Sequence, residues 1–424
     1  MMQRKELRGG AALTILPADQ FKTSRITINF ILPSDRQSAT AFALLPSLLE
    51  RCYAGCPDMT LLSRKLASLY GANLSADTSV QGENRVVSIS ICGIKEQYAL
   101  HGEGLTAAYA DILFGTAFDP YITQGRFDEE AVAIERQKLR ELLEGEINNK
   151  RSYCVQQARR LFFGDAPAGV ERNGYLGDLD GIDGELLARA YDRMVRTARV
   201  EVLVLGADPQ EVERRLLDCL DRIDRAPERV LPAIAMPPRA PVFRTEVVEA
   251  VQGKLCLFFT AGRTLSGEEM DWMRLAGAIL GSLPSSRLFR NVREKQSLCY
   301  YCACGFSQLT SALCIDSGIE PKDADRAREA ILHELDALAH GPIGEEELRE
   351  AKISYLGALR AVGDSLASIE AWAFREILRG SFKTPQEVAG AIEKTGAEEI
   401  HQVLSLFRLS VCYLLTTKGD PDEE

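Results

Sequence analysis

The sequence lacks any run of about 18 apolar residues, so we expect no membrane-spanning helix. It is also poor in positive charge. The 50 Lys and Arg residues against 61 Asp and Glu give a net charge of −11, which argues against binding nucleic-acid phosphates. No apolar segment follows the charged residues 1–8, so we expect no signal peptide. At 46% hydrophobic over 424 residues, the chain is typical of a soluble globular protein with two to four domains.

Histidine is scarce, with four in the chain, and none lies in a metal-binding pattern. At His333 the H-E-x-x-H pattern fails, because Ala337 occupies the position of the second histidine. We therefore predict that all four are surface or packed residues. They are His101, His333, His340 and His401.

The eleven cysteines are odd in number and scattered, which favours reduced thiols in a cytoplasmic protein. The densest cluster is Cys299, Cys302 and Cys304, in a segment that alternates like a strand. We predict a structural role for these residues and for the pair Cys52 and Cys56, because free cysteine commonly packs as a small hydrophobe.

The two halves of the chain repeat the same pattern. A strand-like segment at 24–32 leads to a helical run at 40–51, and a strand-like segment at 254–260 leads to another at 268–280. Each half later contains a long helical segment that ends in glycine. One runs from Phe127 to Gly164 and the other from Ile343 to Gly380, a displacement of 216 residues at both ends. Matches in the same order indicate a duplication.

Each half closes with an apolar strand and a turn, at 200–206 and 411–417 with the residues that follow. Five prolines between the halves, in 227–241, favour an extended linker. The predicted domains are therefore 1–226, a linker at 227–241, and 242–424. Hairpin-like strand pairs among amphipathic helices predict an α+β fold, in which each half is a mostly antiparallel sheet with helices packed on one face.

Residues 283–300, Leu-Pro-Ser-Ser-Arg-Leu-Phe-Arg-Asn-Val-Arg-Glu-Lys-Gln-Ser-Leu-Cys-Tyr, resemble a conserved stretch of the pitrilysin/insulinase metallopeptidases. That family is built from duplicated α+β halves. By this likeness, Arg293 and Tyr300 fall on the family's Arg/Tyr pair, which holds the substrate backbone over the catalytic centre of the other half. A rigid fork of donors and a ring-borne hydroxyl suit such binding.

The family's zinc motif, H-x-x-E-H, is missing. Two histidines four residues apart share a helix face and bind one Zn²⁺, while the glutamate activates a water. In this chain Ser47, Glu50 and Arg51 stand at the three positions. Serine is a poor zinc ligand, and Arg51 places a permanent positive charge where a cation would bind. We therefore expect no catalytic residue and no metal in this chain.

The third zinc ligand is also altered. The resemblance places a glutamate seven residues after the glutamate of an "ER" step, which here is Glu135-Arg136. The seventh position is Leu142, with Glu141 beside it. A register slip of one residue would make Glu141 the ligand.

The resemblance implies three alternative functions. The first is the non-catalytic subunit of a heterodimeric zinc peptidase, whose zinc lies in an H-x-x-E-H partner chain and whose substrate is a peptide. Segments 21–30 and 66–74 favour it, because they are similar to bacterial zinc-less members found beside an active homologue. The second is a homodimeric peptide-binding or scaffold protein. The third is a zinc peptidase with unorthodox ligands such as Glu50, Glu141 and a cysteine.

Overall fold

The computed structural model of the chain describes residues 2–417, so the turn predicted after the last strand lies outside the described residues. Within this range the strands form two sheets. The strands are β1 (Gln3–Glu6), β2 (Ala11–Leu16), β3 (Thr23–Pro33), β4 (Asn73–Gln81), β5 (Asn84–Ile94), β6 (Arg199–Leu205), β7 (Val242–Val247), β8 (Gly253–Thr260), β9 (Cys299–Ser307), β10 (Ala312–Ile319) and β11 (Arg408–Thr416).

Amphipathic and buried helices connect these strands. They are α1 (Ala39–Leu49), α2 (Met59–Ser68), α3 (Leu105–Phe118), α4 (Glu129–Gly145), α5 (Lys150–Phe163), α6 (Gly184–Thr197), α7 (Pro209–Leu220), α8 (Gly267–Gly277), α9 (Ala324–His340), α10 (Glu345–Ala361), α11 (Leu366–Arg379), α12 (Pro385–Lys394) and α13 (Ala397–Leu404). Short π-helical segments cover Ala278–Ser282 and Leu288–Lys295. No helix among residues 2–417 is long and apolar enough to cross a membrane.

The first compact unit contains the six-stranded sheet, in the order β1-β2-β6-β3-β5-β4. The pairing is antiparallel except between β2 and β6. Alternate residues of β3, such as Ile26, Ile28 and Phe30, are fully buried in the main apolar core of this unit. These residues alternate because successive side chains of a strand point to opposite faces.

The second compact unit repeats this design with five strands, in the order β7-β11-β8-β10-β9. Here β7 and β11 are the parallel pair, and the remaining pairs are antiparallel. The predicted α+β fold with two duplicated halves is therefore confirmed. The helix pairs also match: α4 and α10 are displaced by 216 residues at both ends, and so are α5 and α11.

The compact units are discontinuous in sequence. The first consists of residues 2–144, Val170–Leu231 and Ser365–Ala373. The second consists of Gly145–Gly169, Pro232–Asp364 and residues 374–417. Helix α5 therefore lies in the second unit, although it comes from the first half of the chain. In the second unit α5 packs Phe162 against Phe258 of β8, with ring centroids 5.1 Å apart.

The α5 contact covers a second face of the five-stranded sheet, because Leu255, Leu257 and Phe259 of β8 are buried on the other face. In the first unit, Glu370 of α11 forms an ion pair with Arg25 of β3. The sequence pattern predicted helices on one face only, whereas α5 also packs on the second face of the five-stranded sheet, and residues 366–373 of α11 belong to the first unit.

Candidate functional site

Helix α1 places the altered zinc motif at its C-terminal end. Leu45 and Leu48 are buried in the core, which fixes the orientation of the helix. The Glu50 N–H donates to the Pro46 carbonyl at 3.0 Å, so the helical turn continues past Leu49. Ser47, Glu50 and Arg51 therefore share one terminal turn and one side of the helix.

All three motif residues line a pocket of about 350 Å³ in the first unit. The structure thus brings together the positions that the sequence marked as the altered motif. The other lining residues come from α2, β4 and α4; they are Met59, Leu62, Ser63, Leu66, Leu74, Glu135 and Lys138.

An ion pair joins the last motif residue to helix α4. The Arg51 guanidinium donates to Glu135 Oε1 at 2.8 Å, and Lys138 Nζ lies 3.0 Å from the same oxygen. The Glu135 side chain is only 8% exposed, so its negative charge depends on these two partners. Arg51 therefore supplies the positive charge that a cation would supply in a zinc-bearing member.

The donor set does not fit a zinc ion. The pocket offers one hydroxyl, at Ser47, and two carboxylates, at Glu50 and Glu135, while Arg51 and Lys138 bring two positive charges. Between residues 2 and 417, no group of three or more His, Cys, Asp or Glu side chains is arranged to hold a metal.

Glu50 has an unfavourable environment for its charge. Burial raises the pKa of the Glu50 carboxyl, and the neighbouring Glu135 carboxylate adds to the rise. The Ala76 N–H, 3.4 Å from Glu50 Oε2, opposes the rise. The pKa of Glu50 remains above its ordinary value of 4.5, and because this residue is exposed and screened by solvent, its ionisation lowers stability only slightly.

Replacing Glu50 by glutamine should therefore raise the melting temperature slightly at pH 7–8. The gain should shrink as the pH falls through the raised pKa of Glu50, and it should vanish below about pH 4, where the carboxyl is neutral in both states. Thermal melts from pH 3.5 to 8 measure the change in melting temperature. Glu141→Gln, on the exposed face of α4, is the control for the loss of one negative charge. A lower melting temperature for Glu50→Gln at pH 7.5 would contradict the prediction.

Glu141 and Leu142 do not line the pocket. The Glu141 carboxylate accepts a hydrogen bond from Gln137 at 2.9 Å, and Leu142 is 53% exposed. Glu135 lines it instead, although the sequence identified it only as a marker for the ligand position. The sequence did contain a signal that Glu135 could line the pocket. Glu135 precedes Leu142 by two helical turns, so the two residues lie on nearly the same face of α4.

The second unit carries Arg293 on the π-helical segment Leu288–Lys295. Leu288 and Val292 are fully buried and anchor this segment, while Arg293 is exposed. The Arg293 guanidinium lies 4.4 Å from the centroid of the Phe289 ring. It has no ion-pair partner among the described residues, so its donors remain available to a ligand.

Tyr300 lies on β9 at a β-bulge. Cys299 pairs with Ile319 and Tyr301 with Gly318, which leaves Tyr300 as the extra residue. A bulge redirects the side chain at this point. Tyr300 is 49% exposed, and its hydroxyl donates to the Glu320 carboxylate, which raises the pKa of Tyr300.

The cysteine cluster lies beside these two residues. Cys302 and Cys304 are buried, and the Cys304 thiol donates to the Gly277 carbonyl at 3.2 Å, as expected for a packing role. Hydrogen bonds from Cys302 and Ser317, with a smaller contribution from the charge of Arg293, lower the pKa of Cys299 to about 7. The sequence pattern predicted a structural role for these cysteines, and it did not predict a lowered pKa for Cys299.

Known proteins resemble this chain in sequence. Residues 181–355 match the peptidase M16 inactive domain. The chain is 24% identical over 419 residues to the probable inactive metalloprotease YmfF of Bacillus subtilis (strain 168), and the match covers 97% of each chain.

Solved structures share the fold. A conserved protein from Enterococcus faecalis V583 has a TM-score of 0.90 at 24% identity, over 99% of this chain and 100% of that one. A peptidase M16 inactive domain from Pseudomonas fluorescens has a TM-score of 0.79 at 14% identity, over 99% of this chain and 98% of that one. A Helicobacter pylori protease has a TM-score of 0.79 at 13% identity, over 98% and 99%.

A duplicated α+β fold whose motif helix has lost both histidines defines a catalytically inactive metallopeptidase homologue. The chain is similar to the M16 metallopeptidases, the family of pitrilysin and insulinase, and it lacks their zinc motif. The resemblance that residues 283–300 indicated is thereby confirmed.

Proposed function

We propose that this chain is the non-catalytic subunit of a heterodimeric zinc peptidase and positions a peptide for an H-x-x-E-H homologue. The observation that carries the proposal is a contrast between the two units. Arg51 occupies the cation position of the first unit and pairs with Glu135, whereas Arg293 and Tyr300 of the second unit stay exposed. The residues that would bind substrate are retained, and those that would bind metal are not.

Two sheet edges support peptide binding. Strand β4 is an edge strand of the first sheet, and its Ala76 N–H and Leu74 side chain face the altered motif. Strand β9 is an edge strand of the second sheet and carries Tyr300. An extended peptide can add to such an edge through main-chain hydrogen bonds.

Arg293 and Tyr300 supply the chemistry for holding a peptide. A free guanidinium donates to peptide carbonyls or to a carboxylate, and the Tyr300 hydroxyl can exchange its bond to Glu320 for one to substrate. In this proposal the chain carries no zinc of its own, the zinc lies in the homologous partner, and the pair works in the cytoplasm.

Substitution at Arg293 or Tyr300 tests the proposal. The chain is co-expressed with an H-x-x-E-H homologue from the same organism, and peptide turnover by the purified pair is measured. Arg293→Ala or Tyr300→Phe should lower turnover about ten- to a hundredfold, since a lost charge-assisted hydrogen bond costs about 1.5–3 kcal/mol. The melting temperature should hardly change, because both side chains are exposed.

Arg290→Ala is the matched control, because Arg290 lies on the same segment but pairs with Glu347 at 3.5 Å. It should leave turnover unchanged. Zinc analysis of the separated subunits should find the metal in the homologue alone. Failure of the two chains to co-purify, or full turnover by both variants, would overturn the proposal.

A homodimeric peptide-binding protein is the second candidate. Strand β7, whose outer edge is not paired with any strand of the described residues, favours self-association. A peptidase with Glu50, Glu141 and a cysteine as ligands is not favoured, because Glu141 lies outside the pocket lining. About one zinc per chain in the wild-type protein would support that third candidate.

A further inference from the structure

Strand β7 forms one edge of the second sheet. It runs parallel to β11, and five of its six residues are exposed. The apolar residues among them stand out: Phe243 is 59% exposed and Val247 53%. An edge strand with unpaired backbone groups and apolar side chains is a template for another strand.

The first unit shows what covers the equivalent edge. Strand β2 occupies the place of β7, since it runs parallel to β6 as β7 does to β11. Strand β1 covers the outer edge of β2 in antiparallel pairing. Among the described residues of the second unit, no strand pairs with the outer edge of β7.

The backbone direction of β7 shows which of its N–H and C=O groups point to the outer edge, where they can pair with another strand. The Val248 N–H donates to the Thr416 carbonyl of β11 at 2.8 Å, so Val248 points inward. Successive residues of a strand point their N–H and C=O groups to alternate edges. Phe243, Thr245 and Val247 therefore direct theirs to the open edge.

We propose that two copies of this chain pair through their β7 strands, antiparallel and centred on Thr245. In this register Thr245 faces Thr245 of the second copy, and Phe243 faces the second copy's Val247 at both ends. All three pairs are of the hydrogen-bonded kind, in which two residues exchange two bonds, so about six backbone hydrogen bonds form. The contact is isologous and closes after two copies.

The side chains of β7 are self-complementary about the same centre. Arg244 lies opposite the second copy's Glu246, and Glu246 opposite its Arg244, which gives two opposite-charge pairs at the closer cross-strand spacing. Hydrogen bonds from Tyr153, at 3.0 Å, and Tyr413 hold the Glu246 carboxylate in place. Arg244 is exposed and has no ion-pair partner among the described residues.

The apolar residues match in the same register. Phe243 of each copy would cover Val247 of the other on the opposite face of the sheet. A foreign strand would require no such symmetry in the β7 sequence, so the pattern favours a second copy as the partner. The contact uses neither Arg293 nor Tyr300, and it goes beyond the proposed function.

Charge exchange tests this register. The mass of the purified protein is measured by sedimentation across a range of concentrations. Wild type should form dimers, and Arg244→Glu, which places two pairs of glutamates opposite each other, should weaken the dimer at least tenfold. Arg349→Glu makes the same charge change at an exposed position of α10, and it should leave the dimer intact.

The decisive measurement mixes two variants. Glu246→Arg alone should also weaken the dimer, because two pairs of arginines then face each other. An equimolar mixture of Arg244→Glu and Glu246→Arg should restore dimers of one copy of each, since every facing pair again has opposite charges. A melting curve of each variant shows whether it is folded, which matters for Glu246 because two tyrosines bond to it.

Thr245→Pro provides a test that does not depend on charge. It removes an N–H that points to the open edge, so the dimer should dissociate while the melting temperature stays nearly unchanged. A wild type that stays monomeric at every concentration, or a dimer that survives both Arg244→Glu and Thr245→Pro, would overturn the proposal. Protection of β7 from hydrogen exchange only when the zinc-bearing homologue is added would assign the edge to that protein and overturn it as well. Turnover by the Arg293 and Tyr300 variants reports separately on the proposed function.

Discussion

Replacing Arg274 by methionine should lower the free energy of unfolding by about 3–5 kcal/mol, because it leaves buried carboxylates without their main partner. Arg274 is 3% exposed and lies 2.7 Å from Asp271 and 3.1 Å from Glu376, whose side chains are 1% and 2% exposed. Arg379 and Lys383 retain one contact each to these carboxylates. Urea unfolding of the wild type and the variant measures the difference.

The exposed pair of Arg349 and Glu346 is the matched control, since it has the same charges on a helix surface. Arg349→Met should leave the urea midpoint unchanged, because solvent screens exposed pairs. A variant in which Arg274, Asp271 and Glu376 are all replaced by apolar residues of similar size should recover much of the lost stability. Equal losses for the single and triple variants would show that the packing of α8, and not unpaired charge, causes the effect.

Replacing Arg51 by methionine should lower the free energy of unfolding by about 1–3 kcal/mol. The Glu135 carboxylate, which is 8% exposed, would keep only Lys138 as a partner. Urea unfolding at pH 7.5 measures the loss.

A double-mutant cycle separates this ion pair from simple packing. Glu135→Met added to Arg51→Met should restore most of the loss, because the buried carboxylate that lost its partner is then gone; Lys138, which also loses Glu135, is 64% exposed and stays solvated. Lys138→Met alone should have a smaller effect than Arg51→Met, since its side chain is 64% exposed. If the two losses in Arg51→Met and Glu135→Met simply add, the two residues do not stabilise each other.

Much of the fold could be predicted because its signals are local. The long helical segments predicted at 127–164 and 343–380 each divide into two helices, α4 with α5 and α10 with α11, and the displacement of 216 residues is kept. Hairpin β4–β5 belongs to the hairpin-like strand pairs that the sequence predicts, because alternating residues stand on both sides of a short turn. Such patterns depend on neighbours within one or two turns of the chain, so they can be read without knowledge of the tertiary structure.

The place of α5 could not be predicted in the same way. Its apolar face, with Cys154, Ala158 and Phe162, suits burial against a sheet, but an apolar face does not specify which sheet. The helix belongs to the second compact unit because its partner residues lie on β8 and β11, far along the chain. The predicted boundary at 227–241 describes the order of the chain and not its packing.

For the site, the sequence alone determined that the zinc ligands are absent, because the identities of Ser47 and Arg51 exclude two histidines whatever the fold. Only the tertiary structure decided what takes their place. Arg51 and Glu135 are 84 positions apart in the chain, and a contact at that separation depends on how α1 and α4 pack. The same holds for the open edge of β7: an edge strand is defined by the partner it lacks, and strand order is a property of the folded sheet.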